Sequence, residues 1–365
     1  MKVSIARSEL LNALSVVGKG MSARSTLPIL SGVLLSATGG DITLQSTDLE
    51  ISIRHTASAL VEQEGQIVLP GRLLSDIVRN LPEAAVTIET DGETAHVRCQ
   101  QSSFTVRTLN PADFPKFPRV DIDKSITLPT ATLISMVRQV SRAVSRDETR
   151  AILTGILLVI EGPSMRMVAT DSYRLAVREV VLDTFSEGVE VVIPGKALEE
   201  VTRLVGDCEE VVLGVSENQI VFEFGSSVFV TRRIEGSFPN YKQLIPKESE
   251  TTATLSAEDL AGAVKRVSLM ALHNSPLRIV INATDQTLSL SATTQDVGDA
   301  SEDLMVSAEG RDTEIAFNHG FLMDGITSAS SETVRIEIQN SQKPGLIKTD
   351  GDEGFLYLLM PVRLG

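Results

Sequence analysis

Basic side chains that recur at fixed spacings are the first feature of this sequence with an interpretable chemistry. Two pairs are seven residues apart and one trio is spaced by four: Arg72 and Arg79, Lys196 and Arg203, and Arg138, Arg142 and Arg146. Such spacings place side chains on one face of a helix, and we predict that the trio shares one face. An exposed basic face without a base-reading motif suits contact with nucleic-acid phosphates regardless of sequence. The alternative is that exposed helices carry some basic residues by chance.

Histidine and cysteine form no metal or catalytic pattern in this sequence. The four histidines have no metal-ligand spacing among themselves or with the two cysteines. The histidines are His55, His96, His273 and His319, and the cysteines are Cys99 and Cys208. Two distant cysteines also predict no disulfide framework. No phosphate-binding glycine loop, nucleophile elbow or dinucleotide fingerprint occurs in the sequence. We therefore predict no metal, no cofactor and no catalytic residue.

The pairs Thr47-Asp48 and Thr170-Asp171 occupy matching places in two parts of the chain. One interpretation is a carboxylate site. The other, which we favour, is that Thr and Asp cap backbone groups at the ends of strands, as these residues commonly do. A third copy of the segment has Thr293-Thr294, and the loss of Asp there agrees with either interpretation.

The composition is that of an acidic globular protein. The chain has 365 residues, is 42% hydrophobic and carries a formal net charge of −15, which taken alone argues against a nucleic-acid partner. The location of the positive charges decides that question. Arg7 and Glu9 interrupt the first segment, so we expect no signal peptide. The most apolar run, 151–160, is too short to span a bilayer; we predict a buried strand there, a cytoplasmic location and no membrane attachment.

An internal repeat accounts for most of the chain. At an offset of about 123 residues, segment 26–35 matches 150–158, and a third copy lies at 276–281. The second half of each unit repeats as well, opening with Pro70-Gly71-Arg72, Pro194-Gly195-Lys196 and Phe317-Asn318-His319. The first two copies keep the seven-spaced basic pair, whereas Gly320 and Thr327 occupy its place in the third.

Apolar spacing within each unit predicts a strand, a helix, several strands of period two, and a second helix with further strands. Two helices packed on antiparallel sheets belong to the α+β class. Because the repeat is far longer than a solenoid unit, we predict three whole domains at 1–122, 123–248 and 249–365. The predicted linkers are 117–124 and 246–251, where proline and charged residues cluster.

Six motifs spread over the whole chain are specific when taken together. They are Met1-Lys2-Val3, Thr26-Leu27-Pro28-Ile29-Leu30, Ser46-Thr47-Asp48-Leu49-Glu50, Ala169-Thr170-Asp171-Ser172-Tyr173-Arg174-Leu175-Ala176, Gly236-Ser237-Phe238-Pro239-Asn240-Tyr241 and Met360-Pro361-Val362-Arg363-Leu364. With them the chain resembles the bacterial DNA polymerase III beta subunits, the family of replicative sliding clamps. The resemblance implies three tandem DNA-clamp domains per chain, with antiparallel sheets outside and helices lining a ring of two chains joined head to tail. It also implies a non-catalytic processivity factor that encircles double-stranded DNA.

The resemblance implies particular residues and partners. By similarity, DNA contact without sequence specificity falls to Arg24, Arg72, Arg146, Arg150 and Lys196. The basic spacing adds Arg79, Arg138, Arg142 and Arg203. A homodimer contact is implied between Phe104 and Val106 of one chain and Leu269 and Met270 of the other. Ordinary core packing is the alternative role of these four residues.

A peptide pocket is the second site that the resemblance implies. It would take short linear peptides of the DNA polymerase III alpha subunit, the clamp loader and repair polymerases. The matching residues are Leu153, Thr170, Ser172, Tyr173, Arg174, Leu175, Pro239, Asn318, Met360, Pro361, Val362, Arg363 and Leu364. Tyr173 stands where His is common in the family, Gln243 where Arg is frequent, and Gly365 extends the end by one residue. Gly195 stands where some relatives have a second basic residue.

Two functions of other classes compete with a sliding clamp. One is a monomeric peptide-binding scaffold that never encircles DNA, which a stable monomer in solution would favour. The other is an enzyme, which would require an activity that survives charge reversal of Arg138, Arg142 and Lys196.

Overall fold

The structure, a computed structural model, describes residues 1–22, 26–272 and 275–363, and the side chains of all of these except 184–187. Within these residues the chain forms six α-helices, two in each predicted repeat. They are α1 Arg7–Val17, α2 Gly71–Asn80, α3 Thr130–Val140, α4 Gly195–Leu204, α5 Ala257–Val267 and α6 His319–Ala329. The regular pairing of strand and helix in each repeat confirms the predicted order of elements.

The strands of the three repeats follow the same plan. The first contains β1 Lys2–Ala6, β2 Gly32–Thr38, β3 Asp41–Thr47, β4 Ile51–Ser58, β5 Leu60–Gln63, β6 Gly65–Pro70, β7 Ala85–Asp91, β8 Thr94–Cys99 and β9 Ser102–Arg107. The second contains β10 Lys124–Pro129, β11 Gly155–Thr170, β12 Arg174–Pro194, β13 Glu210–Val215, β14 Gln219–Phe224 and β15 Ser227–Arg232. The third contains β16 Thr251–Ser256, β17 Leu277–Asn282, β18 Thr287–Thr294, β19 Gly298–Met305, β20 Ser307–Gly310, β21 Thr313–Phe317, β22 Thr333–Ile338, β23 Gly345–Thr349 and β24 Phe355–Leu359.

Polar caps begin the two helices of the third repeat. The Ser256 hydroxyl accepts from the Asp259 N–H at the start of α5, and the side-chain oxygen Oδ1 of Asn318 accepts from the Gly320 and Phe321 N–H groups at the start of α6. These contacts satisfy donors that lack a partner in the first turn of a helix. On α5 the acidic Glu258 and Asp259 lie in the first turn, where the helix dipole favours negative charge.

The chain divides into two compact units, which do not coincide with the three repeats. One unit is Met1–Thr132 with Glu200–Arg233, and the other is Leu133–Glu199 with Ile234–Gly365. The boundaries at 122/123 and 248/249 therefore remain a prediction.

Among the described residues, each unit contains two of the four antiparallel sheets. The first has the orders β5-β1-β7-β8-β9 and β10-β13-β14-β15-β4-β3-β2-β6; the second has β11-β12-β24-β23-β22-β16-β20 and β19-β18-β17-β21. In the first unit β15 of the second repeat pairs with β4 of the first, and in the second unit β12 pairs with β24 of the third. The larger sheets thus cross the sequence repeats.

The helices bury the apolar stripe that their spacing predicts. On α2, Leu74, Ile77 and Val78 are buried, whereas Leu73, which belongs to the same apolar run in the sequence, is exposed. The equivalent Leu198 and Leu322 of α4 and α6 are fully buried. The core of each repeat therefore forms where these stripes meet the apolar faces of the sheets.

The prediction that Arg138, Arg142 and Arg146 share one helix face is wrong. Helix α3 ends at Val140, so Arg142 lies in the 3-10 turn Ser141–Ala143 and Arg146 lies in the following loop. Val144 has an extended backbone, and the N–H of Ser145 donates to the Leu153 carbonyl over 2.9 Å, which takes the chain off the helical path. Four-residue spacing of exposed side chains carries no packing information, so it could not locate this end.

The predicted strand at 151–160 is also partly wrong. Residues up to Thr154 belong to the 3-10 segment Glu148–Thr154, and strand β11 begins at Gly155. Arg150 breaks the segment with non-helical dihedral angles. Apolar runs do not distinguish a strand from a short helical turn, which explains the error.

Candidate functional site

A tight turn between β11 and β12 carries four of the predicted pocket residues. The Thr170 hydroxyl donates to the Arg174 carbonyl over 2.6 Å, and it accepts from the Ser172 N–H over 3.2 Å. The Asp171 carboxylate accepts from the N–H groups of Tyr173 and Arg174 over 2.9 and 3.0 Å. Ser172 takes a positive φ of 83°, so the turn depends on these side-chain contacts.

The same turn occurs in the first repeat. The Thr47 hydroxyl donates to the Ile51 carbonyl and accepts from the Leu49 N–H, while Asp48 accepts from the N–H groups of Glu50 and Ile51. Both Thr-Asp pairs therefore cap backbone groups at strand ends, which confirms the capping interpretation.

Arg174 is the ionic centre of the candidate pocket. Its Nε donates to Asp171 over 2.9 Å, and its Nη1 donates to Asp324 over 2.5 Å and to the Tyr357 hydroxyl over 3.1 Å. The guanidinium lies 4.3 Å from the centre of the Phe321 ring. Burial raises the pKa of the Tyr357 phenol, so it stays neutral beside the two carboxylates. This network fixes the turn to helix α6.

Aromatic rings and the C-terminal segment continue the pocket surface. The exposed Tyr173 stacks on Phe321 with 6.3 Å between ring centres. The N–H of Met360 donates to the Tyr173 carbonyl over 2.9 Å, and the N–H of Val362 donates to the Ala316 carbonyl over 2.8 Å. The C-terminal segment is thus held between the turn and strand β21. Met360 and Val362 both expose apolar side chains there.

The remaining predicted pocket residues lie beneath or beside this surface. Leu153, Thr170 and Leu175 are buried, and Leu175 belongs to an apolar cluster with Tyr241 and Leu358, among others. Pro239 is exposed, and its carbonyl accepts from the Tyr241 N–H. Asn318 caps α6, which carries Phe321 and Asp324. Pro361 is half-buried and Arg363 is exposed, whereas Leu364 lies outside the described residues.

A polar cleft of about 820 Å³ lies next to the C-terminal segment. Its walls include Glu250, Arg311, Asp312, Asn340, Val362 and Arg363. Only Val362 and Arg363 belong to the predicted peptide pocket, so this cleft is distinct from the apolar surface around Tyr173.

The seven-spaced basic pairs lie on helices, as predicted. Arg72 and Arg79 are on α2, and Lys196 and Arg203 are on α4. A Cβ atom at Gly195 would lie 3.0 Å from Val144 Cγ1, so a second basic side chain at that position would require Val144 to shift. Arg24 lies outside the described residues.

Most of the described basic candidates have an acidic neighbour. Five are ion-paired: Arg79 with Asp76, Arg142 with Asp324, Arg150 with Asp147, Lys196 with Glu148, and Arg203 with Glu200. The Arg150 Nη1 also donates to the Ser172 hydroxyl over 2.8 Å, so Arg150 touches the pocket turn. Hydrogen bonds from Thr149 and Arg150 lower the pKa of the Asp147 carboxyl, which keeps this carboxylate charged. Arg72, Arg138 and Arg146 are exposed, and none of the described residues forms an ion pair with them.

The predicted dimer residues lie at sheet edges or close to them. Strand β9 pairs only with β8 among the described strands, and it exposes Phe104 while Val106 is buried. Leu269 and Met270 lie in the 3-10 turn Ser268–Met270 after α5, and Leu269 is 73% exposed. Strand β19 forms one edge of its sheet, next to β18. The buried Val106 can offer little surface to a second chain.

Other kinds of site find no support in the part of the chain that the structure describes. No group of three or more His, Cys, Asp or Glu side chains there could hold a metal ion. None of the described helices is long and apolar enough to cross a membrane. His55 is buried, and its Nδ1 lies 2.8 Å from the Ser227 hydroxyl at the pairing of β4 with β15.

Three residues of the candidate pocket were not predicted from the sequence. Phe321 belongs to no motif of the sequence, and it supports both Tyr173 and Arg174. Asp324 and Tyr357 carry no motif of their own. A signal for Asp324 did exist, because an acidic residue stands at the same place in the second helix of all three repeats.

Comparison with known protein families agrees with the threefold repeat. The chain matches the family models for the DNA polymerase III beta subunit in three consecutive parts: the N-terminal domain at residues 1–118, the central domain at 127–240 and the C-terminal domain at 242–363. It is 36% identical over 377 residues to the beta sliding clamp of Streptomyces coelicolor, with 100% of each chain covered. It is 32% identical over 374 residues to that of Staphylococcus aureus, covering 100% of this chain and 99% of the relative.

Solved structures show the same fold. The DNA polymerase sliding clamp of Bacillus subtilis has a TM-score of 0.96 at 30% identity, with 100% of both chains covered. The sliding clamp of Pseudomonas aeruginosa bound to griselimycin has a TM-score of 0.95 at 27% identity, also with 100% of both chains covered. Three tandem clamp domains, antiparallel sheets and full-length similarity agree, and the chain therefore belongs to the DNA polymerase III beta subunit family, the beta sliding clamps.

Proposed function

We propose that two copies of this chain join head to tail into a closed ring that encircles double-stranded DNA and tethers the replicative polymerase to it. The observation that carries the proposal is the match of the whole chain, as three tandem domains, to proteins named beta sliding clamps. A closed ring cannot leave DNA sideways, so it needs only weak contacts to stay on it. As the family consists of processivity factors, the chain is not an enzyme.

The basic residues support contact with phosphates rather than bases. Arg72, Arg138 and Arg146 are exposed and form no ion pair with any residue that the structure describes, and Lys196 stands at the exposed start of α4. Phosphate contacts bind DNA of any sequence, and their affinity falls as salt rises. Such contacts let a ring move along the duplex.

Encirclement is tested by comparing the retention of the protein on circular and on linear DNA. The purified protein, loaded onto nicked circular DNA by a clamp loader, should remain bound during gel filtration. Cutting the circle once should release it, because a ring slides off a free end. Equal retention on circular and linear DNA would contradict the proposal.

We assign the homodimer contact to two sheet edges of opposite charge. The edge strand β9 exposes Phe104 and carries Arg107 as its only charged residue, whereas β19 carries Asp299, Glu302 and Asp303. Unpaired edges are templates for pairing with another chain, and complementary charge favours the correct partner. Leu269 would cover the junction with an apolar contact. The mass in solution tests the dimer, and a stable monomer at micromolar concentration would favour the monomeric scaffold instead.

We assign partner binding to the surface around Tyr173, Arg174, Phe321 and Met360. An apolar surface with a few fixed polar groups suits a short peptide with aliphatic or aromatic anchors. Peptides of the polymerase III alpha subunit, the clamp loader and repair polymerases are the proposed ligands. Deleting residues 360–365 should abolish binding of such a peptide and leave the dimer intact. Loss of both would show that this segment is needed for folding rather than for recognition.

A further inference from the structure

One acidic position recurs in the second helix of every repeat. Asp76 on α2, Glu200 on α4 and Asp324 on α6 are separated by 124 residues each time. Here these three residues are named the helix carboxylates. The acidic position is kept in all three repeats, whereas the third repeat has lost both residues of the basic pair.

Each helix carboxylate forms an ion pair with at least one basic side chain. Asp76 lies 3.8 Å from Arg79 Nη1, and Glu200 lies 2.5 Å from Arg203 Nη1. These two pairs are equivalent, since acid and base are three residues apart on α2 and on α4.

The helix carboxylates of the second and third repeats also reach the preceding repeat. Glu200 lies 3.8 Å from Lys19 Nζ, within the first unit, and Asp324 lies 3.1 Å from Arg142 Nη1, within the second. Lys19 and Arg142 are themselves equivalent, because each is the middle residue of the 3-10 turn that follows the first helix. The arrangement is thus a repeated feature of the fold.

We propose that the helix carboxylates compete with DNA phosphates for these basic side chains and thereby keep the affinity of the ring for DNA low. Arg79, Arg142 and Arg203 belong to the candidate DNA surface, so the inference rests on the proposed function. A phosphate can bind such a cation at full strength only when it displaces the carboxylate. Each paired cation therefore contributes less to DNA binding than an unpaired one, and the ring slides more easily.

The energies of the pairs allow this competition. Arg79 and Arg203 are mostly exposed, with side-chain exposures of 68% and 58%, and Arg142 is 46% exposed. Exposed ion pairs contribute little stability, so a phosphate can displace the carboxylate. Alternatively, the carboxylate could hold the guanidinium in position for DNA. In that case removal of the carboxylate would weaken DNA binding.

Neutral variants of the same shape distinguish a gain in DNA affinity from a loss. Glu200→Gln and Asp76→Asn are made in the full-length protein, and binding to a fluorescent linear duplex is measured by anisotropy over a range of salt concentrations. Each variant should bind about 3- to 10-fold more tightly at low salt, with a salt slope steeper by about one for each cation set free. Asp324 is left intact because it also holds Arg174 of the pocket.

Matched controls remove the effect of net charge. Glu314→Gln and Glu62→Gln make the same change of charge at carboxylates paired with Arg278 and Lys2, which lie outside the candidate DNA set. The controls should bind DNA within about twofold of the unmodified protein. Thermal unfolding identifies any variant that fails to fold; Asp76, with 58% of its side chain exposed against 23% for Glu200, is then the safer site.

The outcomes separate this inference from the proposed function. Weaker binding by Glu200→Gln and Asp76→Asn, or gains no larger than those of the controls, would overturn the competition while leaving the clamp in place. An unmodified protein without salt-dependent DNA binding would overturn the proposed function, and this inference with it. Tighter binding confined to the helix carboxylates would support the competition.

Discussion

Asp171 joins two roles that its counterpart in the first repeat does not combine. Its carboxylate caps the N–H groups of Tyr173 and Arg174, and it also pairs with the Arg174 guanidinium, where both side chains are largely buried. Asp48 provides only the caps, because Ile51 stands in the place of Arg174. The two turns therefore separate the contribution of the cap from that of the pocket.

Replacing Asp171 with Ala should weaken peptide binding and reduce stability together. The turn loses two acceptors and an ion pair, for which we expect a loss of about 1–3 kcal/mol in the free energy of unfolding. Asp48→Ala is the matched control, with a loss of about 1–2 kcal/mol and no change in peptide affinity. Chemical unfolding and titration with a labelled partner peptide measure the two effects. Equal effects of both variants on the peptide would contradict the role of Arg174.

His55 makes the stability of the protein depend on pH. Burial lowers the pKa of its imidazole below the ordinary value of 6.5. Between the two values the unfolded chain binds more protons than the folded chain, so the free energy of unfolding falls as pH drops below about 6.5. Above that pH the group contributes no pH dependence.

The variant His55→Asn should reduce this dependence between pH 7 and pH 5. The lowered pKa values of Asp147 and Glu179 act at lower pH, because those carboxyls lose their contribution only below their ordinary values near 4. Denaturant unfolding of both proteins at pH 7 and pH 5 provides the measurement. An identical change with pH in the two proteins would exclude His55 as the source.

At the scale of elements, apolar spacing predicted where helices lie but not always where they end. Helices α2 and α4 begin at the glycine of the Pro-Gly openings that the repeat identifies, and their buried stripes match the spacing. The end of α3 escaped prediction because its exposed arginines carry no packing information. Phe321 was not predicted as a site residue because its contact with Arg174 joins residues far apart in the sequence.

The two caps of the third repeat should separate stability from recognition. Asn318→Ala and Ser256→Ala each remove a helix cap, and each should cost about 1 kcal/mol in the free energy of unfolding. Only Asn318→Ala should also weaken peptide binding, because it loosens the first turn of α6 that carries Phe321. Unfolding curves and peptide titrations of both variants check this, and a peptide affinity equal in the two would contradict it.

The sequence repeat predicted three domains, and the strand pairing adds a feature that a repeat cannot encode. Strands β15 and β12 of the second repeat pair with β4 of the first and β24 of the third, respectively. Such pairings join segments far apart in the chain, and no local pattern specifies them. Internal junctions are therefore continuous sheets, whereas β9 and β19 are edge strands among the described residues, and we propose that a second copy binds there.

Leu269 offers a direct test of that second copy. Its side chain is 73% exposed, so placing a charge there should change the stability of a single chain by no more than about 0.5 kcal/mol. In the dimer the same Leu269→Asp change would bury an unpaired carboxylate against the partner's edge, which is costly. We expect the variant to be a monomer at micromolar concentration in sedimentation equilibrium. Val181→Asp, at an 80% exposed apolar residue on β12, is the matched control and should remain a dimer. A dimeric Leu269→Asp protein would place the contact elsewhere on the chain.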